Sequence, residues 1–126
     1  MKNPMGTFYT SCRLENHVDR KKGVEIPRLL VDSGSECTWI HADQLKKIGV
    51  RPEKKNLTFV TANGRQVTRS IGYAIIRVGE NETIDEVVFA EAGDLQLLGA
   101  RSLEGLNLRV DPRAKKLVSA GPILAA

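Results

Sequence analysis

Residues Arg28–Trp39 read RLLVDSGSECTW, and the reading of this stretch decides what the chain builds. Leu29, Leu30 and Val31 run straight into Asp32, so a buried strand delivers a carboxylate to its own end. Ser33 and Gly34 follow at once: a small hydroxyl that can bond backbone groups, then a residue that lets the chain bend close to a substrate. Taken alone, Asp-Ser-Gly is an ordinary β-turn, because turns favour these three residues. An exposed turn is normally polar on both sides, however, and here an apolar run stands before it and Cys37–Ile40 close behind. A carboxylate held at the mouth of a rigid strand is a good general base if it finds a partner.

Outward from this stretch the chain reads as short strands punctuated by Gly and Asn. Upstream, Gly6–Glu15 and Val24–Val31 are candidate strands joined by a polar turn at Asp19–Gly23. Downstream, Thr38–Ile40 is a short strand, and His41–Ile48 is the best helix, with Ala42, Leu45 and Ile48 at helical spacing and Gly49 at the stop. Leu57–Thr61 reads as a strand, and Asn63-Gly64 as a hairpin turn of type I′. Gln66–Val78 is a long strand with Ile71, Tyr73 and Ile75 alternating, turned by Glu80-Asn81 into Thr83–Ala90. Gln96–Leu98 is short and apolar. Leu97-Leu98-Gly99 leads into Arg101–Leu106, one or two helical turns with Leu103 and Leu106 on one face, placed to pack beneath the Asp32 turn. Leu108–Asp111 and Leu117–Ala120 close a last hairpin around Asp111-Pro112. The chain holds 26 Val, Ile and Thr residues, which together with scarce helical periodicity favours an all-β domain spanning residues 1–126, a closed or partly closed barrel.

Composition narrows the function classes. The 126 residues carry 19 Lys+Arg against 15 Asp+Glu, a net +4 that falls well short of a nucleic-acid tail. With 41% hydrophobic and 27% charged residues, disorder and collagen-like repeats are excluded. The absence of an apolar membrane run or signal-type start, together with the two cysteines Cys12 and Cys37, points to a cytoplasmic protein without a membrane partner, disulfide framework or metal site.

Several motifs in order resemble the retropepsin-like aspartic proteases, the single-domain half-size relatives of pepsin, over about Arg28 to Val118. Asp32-Ser33-Gly34 matches the Asp-Thr/Ser-Gly signature. HADQLKKIGV (41–50) is similar to the short helix ending in a Gly-apolar pair found in bacterial members. TANGR (61–65) matches the hairpin that forms the flap, and Leu97-Leu98-Gly99 the apolar-apolar-Gly motif. The resemblance implies the retropepsin-like closed barrel with one or two short helices. It also implies an aspartic endopeptidase with Asp32 catalytic, Ser33 and Gly34 supporting the turn, and Ala62, Asn63 and Gly64 at the flap. Leu97, Leu98 and Gly99 would lie under the site. One Asp-Ser-Gly in a chain too short for two lobes then requires a homodimer, an extended polypeptide substrate and no cofactor or metal. The resemblance further implies an ion pair between Glu36, in the family's acidic position, and Arg101, one residue past the family's Arg position, which is Ala100 here. The apolar Ile123–Ala126 is a candidate for an interleaved dimer strand or a frayed tail.

Other chemistries weigh less. Cys37 and His41 are four residues apart, a spacing open to a thiol and its base, but a buried small residue and a surface helix start explain them better. Trp39 reads as core. Ser35 lacks a GxSxG elbow. The basic pairs fall at turns, and six aromatics offer little stacking surface, so nucleic-acid binding is a distant third reading. The second is a non-catalytic peptide-binding or assembly module that keeps the fold, favoured by the polar flap tip Asn63-Gly64-Arg65-Gln66.

Overall fold

The computed structural model describes residues 7–125. In chain order the elements are β1 (Thr7–Glu15), β2 (Gly23–Asp32), β3 (Thr38–His41), α1 (Ala42–Lys47), β4 (Lys54–Val60), β5 (Gln66–Val78), β6 (Asn81–Ala90), β7 (Leu97–Leu98), α2 (Ala100–Leu106), β8 (Leu108–Asp111) and β9 (Lys116–Ser119). Gly6 and Ala126 lie outside the described residues, as does the start of the expected first strand.

Seven strands form one sheet in the order β1-β2-β7-β3-β6-β5-β4, and a further β1–β5 pairing closes it into a ring; β8 and β9 form a separate hairpin. The mostly β architecture, with a ring-like sheet and two short helices, is that of a retropepsin-like fold. Closure depends on the 13 residues of β5. On one edge, β4 pairs with its first half, Gln66 to Ile71, while β1 takes Ile75–Arg77; β6 occupies the whole other edge from Ile71 to Val78. Between β1 and β2 the register shifts: only Ser11 separates Thr10 from Cys12, whereas Pro27 and Arg28 separate Ile26 from Leu29. This bulge, at a residue with no N–H to pair, lets Ile26 and Leu29 both face inward although three apart.

The core is built from Leu14, Leu29, Val31, Ile40, Leu45, Ile76, Val87, Leu98, Leu103 and Leu106, all nearly or fully buried. Each such side chain contributes about 1.5–3 kcal/mol relative to an exposed one. Helix α1 ends as its glycine requires. Gly49 takes φ +78, its N–H reaches the Lys46 carbonyl at 3.0 Å, and the Val50 N–H reaches that of Leu45 at 2.9 Å, the paired bonds of a Schellman stop.

Four expectations need correction. The 61–66 hairpin is not type I′: Gly64 alone has positive φ (+83), and the Thr61 carbonyl accepts the Gly64 N–H at 2.9 Å. The turn is therefore centred on Ala62-Asn63 with Gly64 in the left-handed position, the three-residue hairpin pattern. The next turn is Gly79-Glu80 rather than Glu80-Asn81, since Val78 pairs Asn81 and Gly79 supplies φ +60. Along β5, burial does not alternate: Ile71 and Ile75 are buried, but so are Ala74 and Ile76, because both faces are covered. Trp39 is half-buried outside the core, with its ring edge against Phe59 of β4 at 5.4 Å between centroids.

Candidate active site

Strand β2 carries Leu29 and Val31 into the core and ends on Asp32, which is half-buried at the rim. The chain then turns. The Asp32 carbonyl accepts the Ser35 N–H at 3.1 Å, and one of its carboxylate oxygens, Oδ1, accepts the Gly34 N–H at 3.0 Å. A Cβ on Gly34 would lie 3.2 Å from that same oxygen, so glycine permits the approach. Ser33 and Gly34 are exposed. The result is a carboxylate oriented by its own turn, with the turn's backbone open to solvent.

Strand β7 wedges between the strand that enters this turn and the strand that leaves it. It runs parallel to β2, Leu30 opposite Leu97 and Val31 opposite Leu98, and antiparallel to β3 through Trp39 and Leu97. Leu97 and Leu98 thus lie between the two strands that flank the turn, with Gly99 next in the chain. The reason for glycine at 99 is steric: a Cβ there would meet the Cys37 carbonyl oxygen at 2.3 Å and the Ser35 oxygen at 2.9 Å. This close approach lets the start of α2 grip the loop. The Ala100 N–H donates to the Ser35 carbonyl at 2.7 Å and the Arg101 N–H to that of Glu36 at 3.1 Å. The Gly99 N–H donates to Thr38 Oγ1 at 2.9 Å, Thr38 and Ser102 hydroxyls lie 2.6 Å apart, and Ser102 Oγ donates to Asp85 Oδ2 at 2.8 Å. Sequence reasoning missed Thr38, Ser102 and Asp85. A Thr in a strand and a Ser in a helix carry no local signal, and only tertiary contact brings them together.

The expected Glu36–Arg101 ion pair is not formed. Arg101 pairs instead with Glu86 at 3.4 Å and points a second guanidinium nitrogen at Cys37 Sγ, 3.9 Å away. Glu86 also pairs with Lys54, and these hydrogen bonds hold its carboxyl below the usual range despite partial burial. Cys37 and His41 do not meet: the His41 ring contacts the Asp94 carbonyl at 3.2 Å, and burial, the largest influence, raises the Cys37 thiol.

The hairpin tip, Ala62-Asn63-Gly64, is exposed, and nothing lies within 4 Å of where a Gly64 Cβ would be. Its Asn63 Oδ1 accepts the Arg65 N–H at 3.1 Å. Among the described residues no hydrogen bond joins this tip to the Asp32 turn. Its base is anchored, by Trp39 against Phe59 and by a two-pronged contact of Arg69 on β5 with Asp94, at 2.7 and 3.0 Å, in the loop before β7. Arg69 holds the Asp94 carboxyl below its ordinary range. Ile123 and Leu124 are 76% and 94% exposed and lie in no strand. Among the described residues, no three His, Cys, Asp or Glu side chains are grouped to hold a metal ion, and no helix is long and apolar enough to cross a membrane.

Chemically, the arrangement offers one oriented carboxylate on a clamped, glycine-lined turn at the rim of a barrel, with a free hairpin on the same molecule. A family model described as aspartyl protease matches residues 20–116, well over half of the chain. No curated protein matches it.

Proposed function

This chain belongs to the aspartyl protease family, a retropepsin-like one, and from that premise we propose that it is an endopeptidase working as a homodimer, with one Asp32 from each copy. The observation that carries the reading is the Asp32 turn: a signature carboxylate held by its own Gly34 N–H at 3.0 Å, on a loop whose Ser35 and Glu36 carbonyls accept the Ala100 and Arg101 N–H groups. A single Asp-Ser-Gly per chain cannot supply two carboxylates, so a two-fold axis must bring the second. Two such groups about 3 Å apart, the general arrangement of aspartic proteases, share one proton because both cannot ionise. The ionised member takes a proton from water as that water attacks the scissile carbonyl. The protonated member donates a hydrogen bond to the carbonyl oxygen and stabilises the charge growing there. Ser33 braces the turn across the dimer, and the exposed Gly34 backbone faces the substrate. The peptide lies extended, pairing its backbone with the site and with the two hairpins, whose Ala62, Asn63 and Gly64 close over it and exclude water. The thiols Cys12 and Cys37 are unpaired, which fits a reducing compartment such as the cytoplasm.

The test compares wild type with Asp32→Asn on a mixed peptide library at mildly acidic and neutral pH. Wild type cleaves; the variant does not, while its circular dichroism and sedimentation match. Equal cleavage by the two proteins, or none by wild type at any pH, defeats the reading.

A further inference from the structure

We propose that Asp85, Ser102 and Thr38 are positioning residues: a directed chain of side-chain hydrogen bonds, anchored on β6, that fixes the backbone clamp beneath Asp32. Its consequence for catalysis rests on the protease reading above; the clamp itself does not.

Thr38 and Ser102 are both 0% exposed. Hydroxyls in such a place cost stability against Val or Ala unless something there needs them. What needs them is the Gly99 N–H. Gly99 is pressed against the Cys37 and Ser35 carbonyls, its backbone has left the β7 ladder, and its N–H points into the protein, where Thr38 Oγ1 is its partner at 2.9 Å. An unpaired N–H at that spot would carry the full desolvation penalty.

The hydrogens can be placed in only one way. The Gly99 N–H can only donate, so Thr38 Oγ1 accepts it and keeps its own hydrogen free. Ser102 directs its single hydrogen to Asp85 Oδ2 at 2.8 Å. Across the 2.6 Å contact, therefore, Thr38 donates and Ser102 accepts. The chain runs Gly99 to Thr38 to Ser102 to Asp85, and its far end is fixed because the other Asp85 oxygen takes the Glu86 N–H at 2.7 Å. Its near end holds Gly99, next to the two amides that grip Ser35 and Glu36. Ser35 in turn donates its N–H to the Asp32 main-chain carbonyl, closing the turn that carries the carboxylate. A carboxylate on one strand thus sets the position of the carboxylate on another through two buried hydroxyls.

The test has two arms, run on Thr38→Val, Ser102→Ala and the hydroxyl-keeping Thr38→Ser. In the first, amide hydrogen exchange is followed by NMR at Gly99, Ala100 and Ser35, with the β5–β6 ladder as internal reference. Thr38→Val and Ser102→Ala should raise exchange at the three clamp amides about tenfold or more while the ladder stays unchanged, and Thr38→Ser should restore wild-type rates. Unchanged clamp amides, or an equal rise everywhere, would overturn the proposal whatever the activity. In the second arm, kcat should fall about tenfold to a hundredfold for the two breaking variants with KM held within about twofold, and recover in Thr38→Ser. A rise in KM alone would also overturn it. A wild type that cleaves nothing while the exchange arm behaves as stated would defeat the protease reading and leave the clamp standing.

Discussion

Replacing Gly99 by Ala places one methyl group at the most crowded point beneath the Asp32 turn. Gly99 has φ −95 and ψ 178, an extended conformation open to any residue, so the backbone does not resist the change. At such a position Gly→Ala ordinarily stabilises by about 0.4–1 kcal/mol through the unfolded chain. Here the new Cβ would stand 2.3 Å from the Cys37 carbonyl oxygen, 2.5 Å from its carbon and 2.9 Å from the Ser35 oxygen. Carbon contacts relax only near ~3.5 Å, so one wall must move by about 1 Å. Both walls are main chain of the loop that follows Asp32, and neither can rotate aside as a side chain would. Overpacking of this kind costs about 1–3 kcal/mol, which outweighs the entropic gain and reverses the usual sign. We expect a net loss of about 2 kcal/mol, read as a fall of about 1 M in the urea midpoint for a slope near ~2 kcal/mol/M. Protein concentration must be held constant, because a dimer's stability depends on it. Cleavage by the folded fraction should fall about a hundredfold, since a displacement of about 1 Å at the site removes that much rate. An unchanged or raised midpoint would refute the reasoning. Gly64→Ala at the hairpin tip is the control: with φ +83 and nothing within 4 Å, it should cost only backbone strain and leave the Asp32 turn in place.

Three further outcomes follow from the charged and thiol groups. Burial alone would raise the Glu15 carboxyl, but hydrogen bonds from Arg13, Arg20 and Arg77 outweigh it and hold the group below its ordinary value. The unfolded chain therefore takes up the proton first as pH falls, so this stabilisation is complete above the ordinary carboxylate range and is lost as pH drops through the depressed folded value. Glu15→Gln should cost about 2 kcal/mol at pH 7 and flatten the acid limb of the stability profile measured by urea melts; a limb as steep as wild type's would contradict this. Arg69→Ala leaves Asp94, whose side chain is 18% exposed, without its partner; it should lower stability by about 2 kcal/mol and speed amide exchange at the hairpin base, while unchanged exchange would count against the anchor. Burial pushes the Cys12 thiol up to about 12, whereas Cys37 is half-exposed, so an alkylating reagent should label Cys37 in the native protein and Cys12 only on unfolding, as mass spectrometry would show. Native labelling of Cys12 would contradict its burial.

Local chemistry made much of this molecule legible. The apolar run into Asp32 and the turn-forming residues after it place a carboxylate at a strand end, and Gly49 stops α1 where left-handed geometry is needed. Leu103 and Leu106 fall on the buried face of α2 as their spacing demands. What was not legible depends on partners far away in sequence. The Ile71, Tyr73, Ile75 alternation suggested one buried face of β5, but β5 serves as the closing strand of a ring and is covered on both. The pairing of Leu14 with Ile76 that closes the ring leaves no local mark. Glu36 is the acid that motif spacing sets near Arg101, but a tertiary contact with β6 puts Glu86 beside it instead. The Asn63-Gly64 pair fits a two-residue turn by composition, yet the Thr61 side chain bonds Asn63 at 2.6 Å and widens the turn by a residue. The hydroxyls of Thr38 and Ser102 carry no local signal because their value lies in each other.

The central claim is that the reacting carboxylates come one from each of two copies, and mixing isolates it. Wild type and Asp32→Asn are combined at varied ratios in denaturant, refolded together at constant total concentration, and assayed for peptide cleavage. If a dyad needs Asp32 from both partners, activity follows the square of the wild-type fraction, and an equal mixture retains about one quarter. A linear decline, with about one half retained, would mean that a single copy carries the chemistry alone and would contradict the account.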